Sequence, residues 1–377
     1  MDTKILLGFL FVLIGAICGG SFGLPSKYIK KDTPWEVLWG PFFFFVTILI
    51  PITVAPLVVK DLCGVYAEAG RDTILTVAAF GLLWGLGSMT LGKAFAFIGL
   101  SLAYALNYGA QIITGSMVPM AIHSPGDMAE PHGKVIIAGV IVCVIGVIIA
   151  GRAGILKERS LKTAEPDTGG GDPAGQGTNP RMLIGVIIGV LSGVFCACWA
   201  IASGFAGPIN DAAAASVRAN PAWARSWAFT AIILWGGAVS ACLYCVGQLT
   251  KNKTWGRLAG PGIGRILALA FVMAILHDAA VFFFGLAWIN LGNLGVSVGY
   301  AAFMSFAIIV GNIHGFRTGE WKGASRQSVK WIATGIIILI LGVSILASGK
   351  AMQQSKEEAA KKAPKTTAAL VQRAETA

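Results

Sequence analysis

LIGAICGGSFG, residues Leu13–Gly23, returns with few changes as LIGVIIGVLSG, residues Leu183–Gly193. Both carry glycine at i, i+4 and i+8: Gly15, Gly19 and Gly23 in the first, Gly185, Gly189 and Gly193 in the second. On a helix that spacing lays a smooth strip along one side, against which another backbone can come close. A second pair of stretches ends the two halves. AGVIVCVIGVIIAGRAG (Ala138–Gly154) is similar to TGIIILILGVSILASG (Thr334–Gly349), with Gly139 and Gly146 answering Gly335 and Gly342. Apolar sequence yields chance matches, but matched order at both ends points to an internal duplication.

The blocks between these landmarks decide the class. Of 377 residues, 55% are hydrophobic and only 12% charged, where a soluble domain carries about 25% charged residues. Mean hydropathy is +0.73. Apolar blocks near residues 5–22, 35–59, 73–90, 94–119, 134–151, 181–204, 225–248, 265–288, 295–313 and 331–348 approach or exceed the roughly 18–20 residues that cross hydrocarbon. The expected fold class is an all-α polytopic membrane protein with ten transmembrane helices. The first block lacks an A-x-A-like cleavage end and reads as a retained span. The third and fourth are hard to part, because Gly85, Gly87, Gly92 and Gly99 punctuate one nearly continuous run. Lys93 either marks the joint or points into a water-filled cavity.

Four segments follow: a first five-helix repeat over 1–155, a flexible Gly/Pro/Asp/Thr-rich linker over 156–180, a second five-helix repeat over 181–349, and a mobile Ala/Lys-rich tail over 350–377. Five spans per copy make the second copy enter from the opposite side, so the repeats are inverted. That construction builds secondary transporters around a site near the midplane. The formal net charge of +11 gathers in joints such as Lys27–Lys31, Lys157–Arg181, Lys251–Arg265 and Arg317–Lys330. The positive-inside rule puts these joints in the cytoplasm and both termini outside, although the basic tail argues the reverse. No nucleic-acid motif is present. H-E-x-x-H, G-x-S-x-G and phosphate-binding glycine loops are absent, so neither an enzyme nor a cofactor is expected. Seven cysteines, an odd number lying mostly in apolar blocks, read as core residues, and Cys242-x-x-Cys245 lacks a second pair of metal ligands.

Intramembrane polar groups need a reason. In HDAAVFFFGLAWINLGN (His277–Asn293), Asp278 is the first candidate for coupling, because a buried carboxylate is expensive when charged and alone. His277 is the second, since a free imidazole titrates near pH ~6.5. Successive helix residues point about 100° apart, so the two need not face one cavity. Burial in a structural network is the plain alternative for both. On the fourth span lie Tyr104, Asn107, Gln111 and Thr114; the last three share a helix face and offer neutral donors and acceptors to a hydroxyl-rich ligand. Helix–helix hydrogen bonding is the alternative. Trp84, Phe283 and Tyr300 are candidate aromatic walls for a flat apolar face of a ligand, with core packing as the alternative. Lys93 snorkels to the interface, balances Asp278 or touches the ligand. Lys27 and Glu36 read as ordinary joint charges. Asn290 and Asn293 read as helix caps.

GLPSKYIKKDTPWEVLWG (Gly23–Gly40), WGLGSMTLGKAFAFIGLSLAYAL (Trp84–Leu106), LKER (Leu156–Arg159), EWKGAS (Glu320–Ser325) and MSFAIIVG (Met304–Gly311) resemble the bacterial L-rhamnose–proton symporter family, within the drug/metabolite transporter superfamily. The similarity covers nearly the whole chain outside the linker and tail. It implies ten helices in two inverted repeats, in agreement with the count above. It further implies a multi-pass protein of the bacterial inner membrane that takes up L-rhamnose or a related sugar, with the proton as coupling ion. Sugar, proton and membrane lipid are the partners implied; oligomeric state stays open. The resemblance also makes Lys27 and Glu36 gate candidates. Near Asp278 the family more usually carries an aromatic, and a rough alignment of the halves sets Trp84 near Asp278. That departure bears on substrate and coupling ion. The alternatives are a carrier or exporter of another small polar metabolite, a channel, and a membrane-embedded binding protein.

Overall fold

A computed structural model describes residues 3–30, 32–123, 125–164, 180–291 and 299–362. Their regular structure is helical throughout: α1 (Thr3–Ser21), α2 (Trp35–Phe44), α3 (Ile50–Val58), α4 (Leu62–Ala69), α5 (Arg71–His123), α6 (Pro131–Ala164), α7 (Pro180–Cys196), α8 (Cys198–Ser203), α9 (Gly207–Ala214), α10 (Ala222–Lys251), α11 (Ile263–Leu291), α12 (Tyr300–Arg317) and α13 (Arg326–Lys362). Among the described residues, eight helical stretches are long and apolar enough to cross a membrane. Helix is the natural outcome for such runs, because hydrocarbon offers no partner for a bare amide or carbonyl. The outward faces carry Leu57, Ile148 and Leu243, each more than 60% exposed, as a lipid-facing surface would.

Several of the stretches are broken internally, two of them near mid-span. α2 and α3 are joined by a π turn over Phe45–Leu49. Pro51 has no N–H to return to the preceding turn, and the wider turn spaces the ladder there. α5, with 53 residues, would reach about 80 Å if straight, far beyond the roughly 30 Å of hydrocarbon. It is two helices meeting at Gly99, whose φ of 80° and ψ of 171° suit only glycine. The joint therefore falls at Gly99, and Lys93 lies inside the first of the two helices.

Two helices also run past their expected ends. α6 continues to Ala164, beyond the boundary expected at 155, and α13 continues to Lys362, beyond 349. The added turns are rich in Lys, Glu, Ala and Gln, all good helix formers. The α6 extension is also docked: Lys157 Nζ sits 4.8 Å from the Trp321 ring centroid, and Ser160 Oγ accepts from Ser325 N at 3.0 Å. Residues 165–179 of the expected linker and 363–377 of the expected tail lie outside the described residues.

The helices of the two halves interlock. α1 lies on α11 and α12, while α7 lies along α5. A Cβ on Gly15 would meet the Ala280 carbonyl at 3.1 Å, and one on Gly193 would collide with the Asn107 carbonyl. The last spans of the halves, α6 and α13, approach backbone to backbone. A Cβ on Gly342 would meet Gly139 O at 3.0 Å, and one on Gly335 would meet Gly146 O at 3.2 Å. The glycines matched by sequence similarity thus meet crosswise, Gly139 against Gly342 and Gly146 against Gly335, as two antiparallel helices require.

Chain direction separates two ends of this bundle. One, the basic face, carries the joints 22–34, 252–262 and 318–325. The other, the terminal face, carries the start of α1 together with α4 and α9. There Arg218 Nε meets Asp61 Oδ2 at 2.8 Å and its Nη1 meets Glu68 Oε2 at 2.6 Å. The Arg218 hydrogen bond, with help from Gly64 N, holds the Asp61 carboxyl below its usual range.

The α6–α13 contact sets a stability test. Gly342→Leu would push a side chain into Cys143 Sγ at 2.6 Å and the neighbouring backbone, and is expected to cost about 1–3 kcal/mol. Gly247→Ala on α10 meets nothing within 4 Å and is expected to be neutral or to gain about 0.5–1 kcal/mol. Thermal unfolding in detergent checks both.

Candidate functional site

The interlocked halves leave a cavity of about 170 Å³ among α1, α5, α7, α8, α11 and α12. It is smaller than the roughly 300–1,000 Å³ that houses drug-sized ligands. His277, midway along α11, forms part of its wall. Trp84, Asn107, Tyr108 and Gln111 face it from α5, and Trp199 from α8.

Asp278 sits behind that wall. It is buried, and His277 Nδ1 lies 2.9 Å from its Oδ1. Asp278 Oδ2 is buried with no hydrogen-bond partner among the described residues. The adjacent pair is therefore arranged in series, with the carboxylate inside and the imidazole between it and the cavity. Three aromatic rings hold the imidazole: Phe22 at 5.6 Å, Trp84 at 5.6 Å and Phe42 at 6.2 Å between centroids. The second bare acceptor is Asn107 Oδ1. Its Nδ2 donates to Ser192 Oγ at 2.8 Å on α7, which fixes the amide across the two halves. A bare buried acceptor is costly unless a donor arrives, so both oxygens suit a ligand or proton that brings one.

A second cavity of about 440 Å³ lies toward the terminal face. Trp199, Ala200, Val281 and Phe284 belong to both walls and form the partition between them. Ser203 and Gly204 at the outer wall are exposed. Trp199 meets Trp84 edge-on at 5.3 Å.

The sequence candidates divide accordingly. Trp84, Asn107, Gln111 and His277 line the central cavity, with Asp278 directly behind. Tyr104 does not line it. Its hydroxyl accepts from Gly23 N at 3.0 Å, and its ring stacks on Tyr108 at 5.6 Å. Thr114 is half-buried and outside the lining. Phe283 turns toward α1 and stacks on Phe11 at 6.1 Å, whereas Phe284 takes the cavity position. The Tyr300 side chain lies outside the described residues, as does Asn293. Asn290 Nδ2 donates back to Leu286 O at 2.8 Å. Lys93 Nζ sits 5.0 Å from both the Trp35 and Tyr244 centroids, in an aromatic cage, whereas the partner of Asp278 is His277. Lys27 pairs with Glu320 at 2.7 Å, and buried Glu36 accepts from Asn252 and Thr254, each at 2.9 Å. Sequence reasoning missed Trp199. The one signal for it was a tryptophan several residues short of a polar joint, deeper than an interfacial belt requires.

The partition can be tested with the protein's own thiols. Cys196 lines the central cavity, Cys63 is exposed, and Cys143 is buried between α6 and α13. Trp199→Ala should merge the two cavities and speed labelling of Cys196 by a small maleimide, with Cys63 unchanged and Cys143 still unlabelled. Mass spectrometry of labelled peptides reads all three at once.

Comparison with known proteins agrees with this architecture. A family model described as L-rhamnose-proton symport protein matches residues 1–352. The L-rhamnose-proton symporter of Yersinia pestis (strain Pestoides F) is 26% identical over 358 residues, covering 93% of this chain and all of that protein. The L-rhamnose-proton symporter of Citrobacter koseri is 26% identical over 361 residues with the same coverage. A match across nearly every span, with the glycine strips and the central cavity inside it, places this chain in the L-rhamnose-proton symport protein family.

Proposed function

We propose that this chain takes up L-rhamnose or a related sugar together with a proton, by alternating access, through ten helices in two inverted five-helix repeats. The coarser statement is secure: it is a multi-pass membrane protein of a secondary-transporter family. Three features support the finer count. The double-length α5 counts as two spans, and the 18-residue α12 adds one to the eight long apolar stretches. The opening helix of each half packs on the other half. The terminal helices meet through matched glycines. The proposed setting is the bacterial inner membrane, with the basic face toward the cytoplasm. No covalent step on the solute is involved.

The observation that carries the mechanism is the Asp278–His277 series beside a small aromatic cavity. A neutral Asp278 removes the cost of a lone buried charge, and His277 is the group through which a proton passes between Asp278 and the cavity. Trp84 and Trp199 supply faces for a sugar's C–H surface, while Asn107 Oδ1 and Gln111 meet hydroxyls. In the cycle, proton and sugar bind together, the halves rock, and the cavity is presented to the other side.

Purified protein in vesicles decides the matter. Labelled L-rhamnose should accumulate only under an inward proton gradient, and collapse of the gradient should release it. Asp278→Asn should abolish accumulation yet keep exchange of labelled for unlabelled sugar, because the amide mimics the protonated acid. Accumulation that persists in Asp278→Asn would remove Asp278 from coupling. Folded protein without L-rhamnose uptake would sink the sugar assignment and leave another small polar solute as the cargo.

A further inference from the structure

Parts of four stretches that resemble the family converge away from the cavity, at one point on the basic face. Glu320, in the joint between α12 and α13, is nearly buried, with 7% of its side chain exposed. Its Oε1 accepts from Leu100 N at 2.6 Å and lies 2.7 Å from Lys27 Nζ; its Oε2 accepts from Ser101 N at 3.1 Å. Leu100 and Ser101 follow Gly99, where α5 breaks, so their amides open a new helix and have no partner within it. One carboxylate from the second half therefore caps a helix of the first half and pairs with a cation from the first joint. Gly99 makes the room: a Cβ there would sit 2.7 Å from the Glu320 carboxyl carbon. The neighbouring Trp321 is buried, stacked on Phe316 at 5.6 Å and covered by Lys157 Nζ.

The cluster is wired to the cavity. Ser101 Oγ hydrogen-bonds Asn312 on α12. Tyr104, one turn further along α5, accepts from Gly23 N and stacks on Tyr108, which lines the cavity. The opposite end also has an ion pair between the halves, Arg218 with Asp61 and Glu68, but both of its carboxylates are more than half exposed. There the 440 Å³ vestibule leads from exposed Ser203 and Gly204 to the Trp199–Phe284 partition. The bundle is thus closed by a nearly buried carboxylate at the basic face and approached by open space from the terminal face.

From this asymmetry we infer that Glu320 is a latch between the halves, which holds the basic face shut and must leave the Leu100 and Ser101 amides for that face to open. The inference rests on the alternating-access reading above. The bonds suit a reversible seal. Lys27 is 28% exposed, so water reaches the pair, and water can take over each group as the joint withdraws. A dry apolar seal would lack that replacement.

Distances between spin labels test it without any sugar, in liposomes, using a chain whose exposed Cys63 is serine. One pair replaces Tyr28 and Lys322 with cysteine at the basic face; the other replaces Ile122 and Ser203 near the vestibule. Glu320→Gln loses the ion pair and one strong cap. It should lengthen the first distance and shorten the second, as a population moves to the state open at the basic face. Glu320→Asp, too short to hold both amides and Lys27 together, should shift both distances the same way and serves if Glu320→Gln does not fold. Unchanged distances in a folded variant would overturn the latch. So would lengthening of the basic-face pair alone, which would mark a local helix cap with no hold on the other face. Failure of L-rhamnose uptake with both distances still moving would sink the sugar assignment and leave the latch standing.

Discussion

A membrane helix can be broken only where something other than lipid takes up the freed backbone groups. This chain breaks α5 at Gly99, and the answer to the two bare amides comes from the other half of the molecule, through Glu320. The remaining interruptions obey the same constraint locally. At the π turn Thr47 Oγ1 donates back to Phe43 O at 2.6 Å. Between α7 and α8 the ladder carries on, with Ala197 N donating to Gly193 O at 3.0 Å and Ile201 N to Ala197 O at 3.2 Å. That small step re-aims α8 so that Trp199 divides the two cavities. Fold and site are thus linked by where the backbone departs from a straight helix.

The spans were legible because their signal is long and redundant. Twenty apolar residues outvote any single substitution, and the matched glycines at the ends of the halves signalled the duplication, although not that they meet crosswise, Gly139 with Gly342 and Gly146 with Gly335. Asp278 and His277 stood out for the opposite reason, as rare polar groups in an apolar run. What the sequence did not disclose was direction. Phe282, Phe283 and Phe284 are chemically alike, and only the packing of α1 turns Phe283 to Phe11 and leaves Phe284 at the cavity. Lys93 reads equally as joint marker, counter-charge or snorkelling cation; the Trp35–Tyr244 cage that holds it is assembled from two distant helices. A Lys–acid pair between the halves could be imagined from composition, but the partners found are Lys27 and Glu320, separated by almost the whole chain.

The cavity's chemistry is biased toward accepting. Asn107 Oδ1 is bare, and its amide nitrogen is already spent on Ser192. The aromatic walls offer π faces, which favour C–H bonds and leave a charged guest poorly solvated. A neutral solute with several hydroxyl donors and one apolar face is the natural complement. Asp278 sits behind the wall with His277 in front of it, so its carboxylate is not placed directly against such a guest.

The seam between α6 and α13 has a mechanical meaning. Each helix closes one half, and their backbones touch along two glycine pairs and through Cys143 against Leu339. Packed backbones resist shear, since sliding by a fraction of a turn would drive carbonyls into Cα atoms. The halves therefore cannot part like jaws along that side of the bundle. In the alternating-access cycle proposed above they swing about it, with the seam as the hinge pin. Displacement should grow with distance from the pin, which makes α1, α7 and the joints they carry the parts that travel furthest.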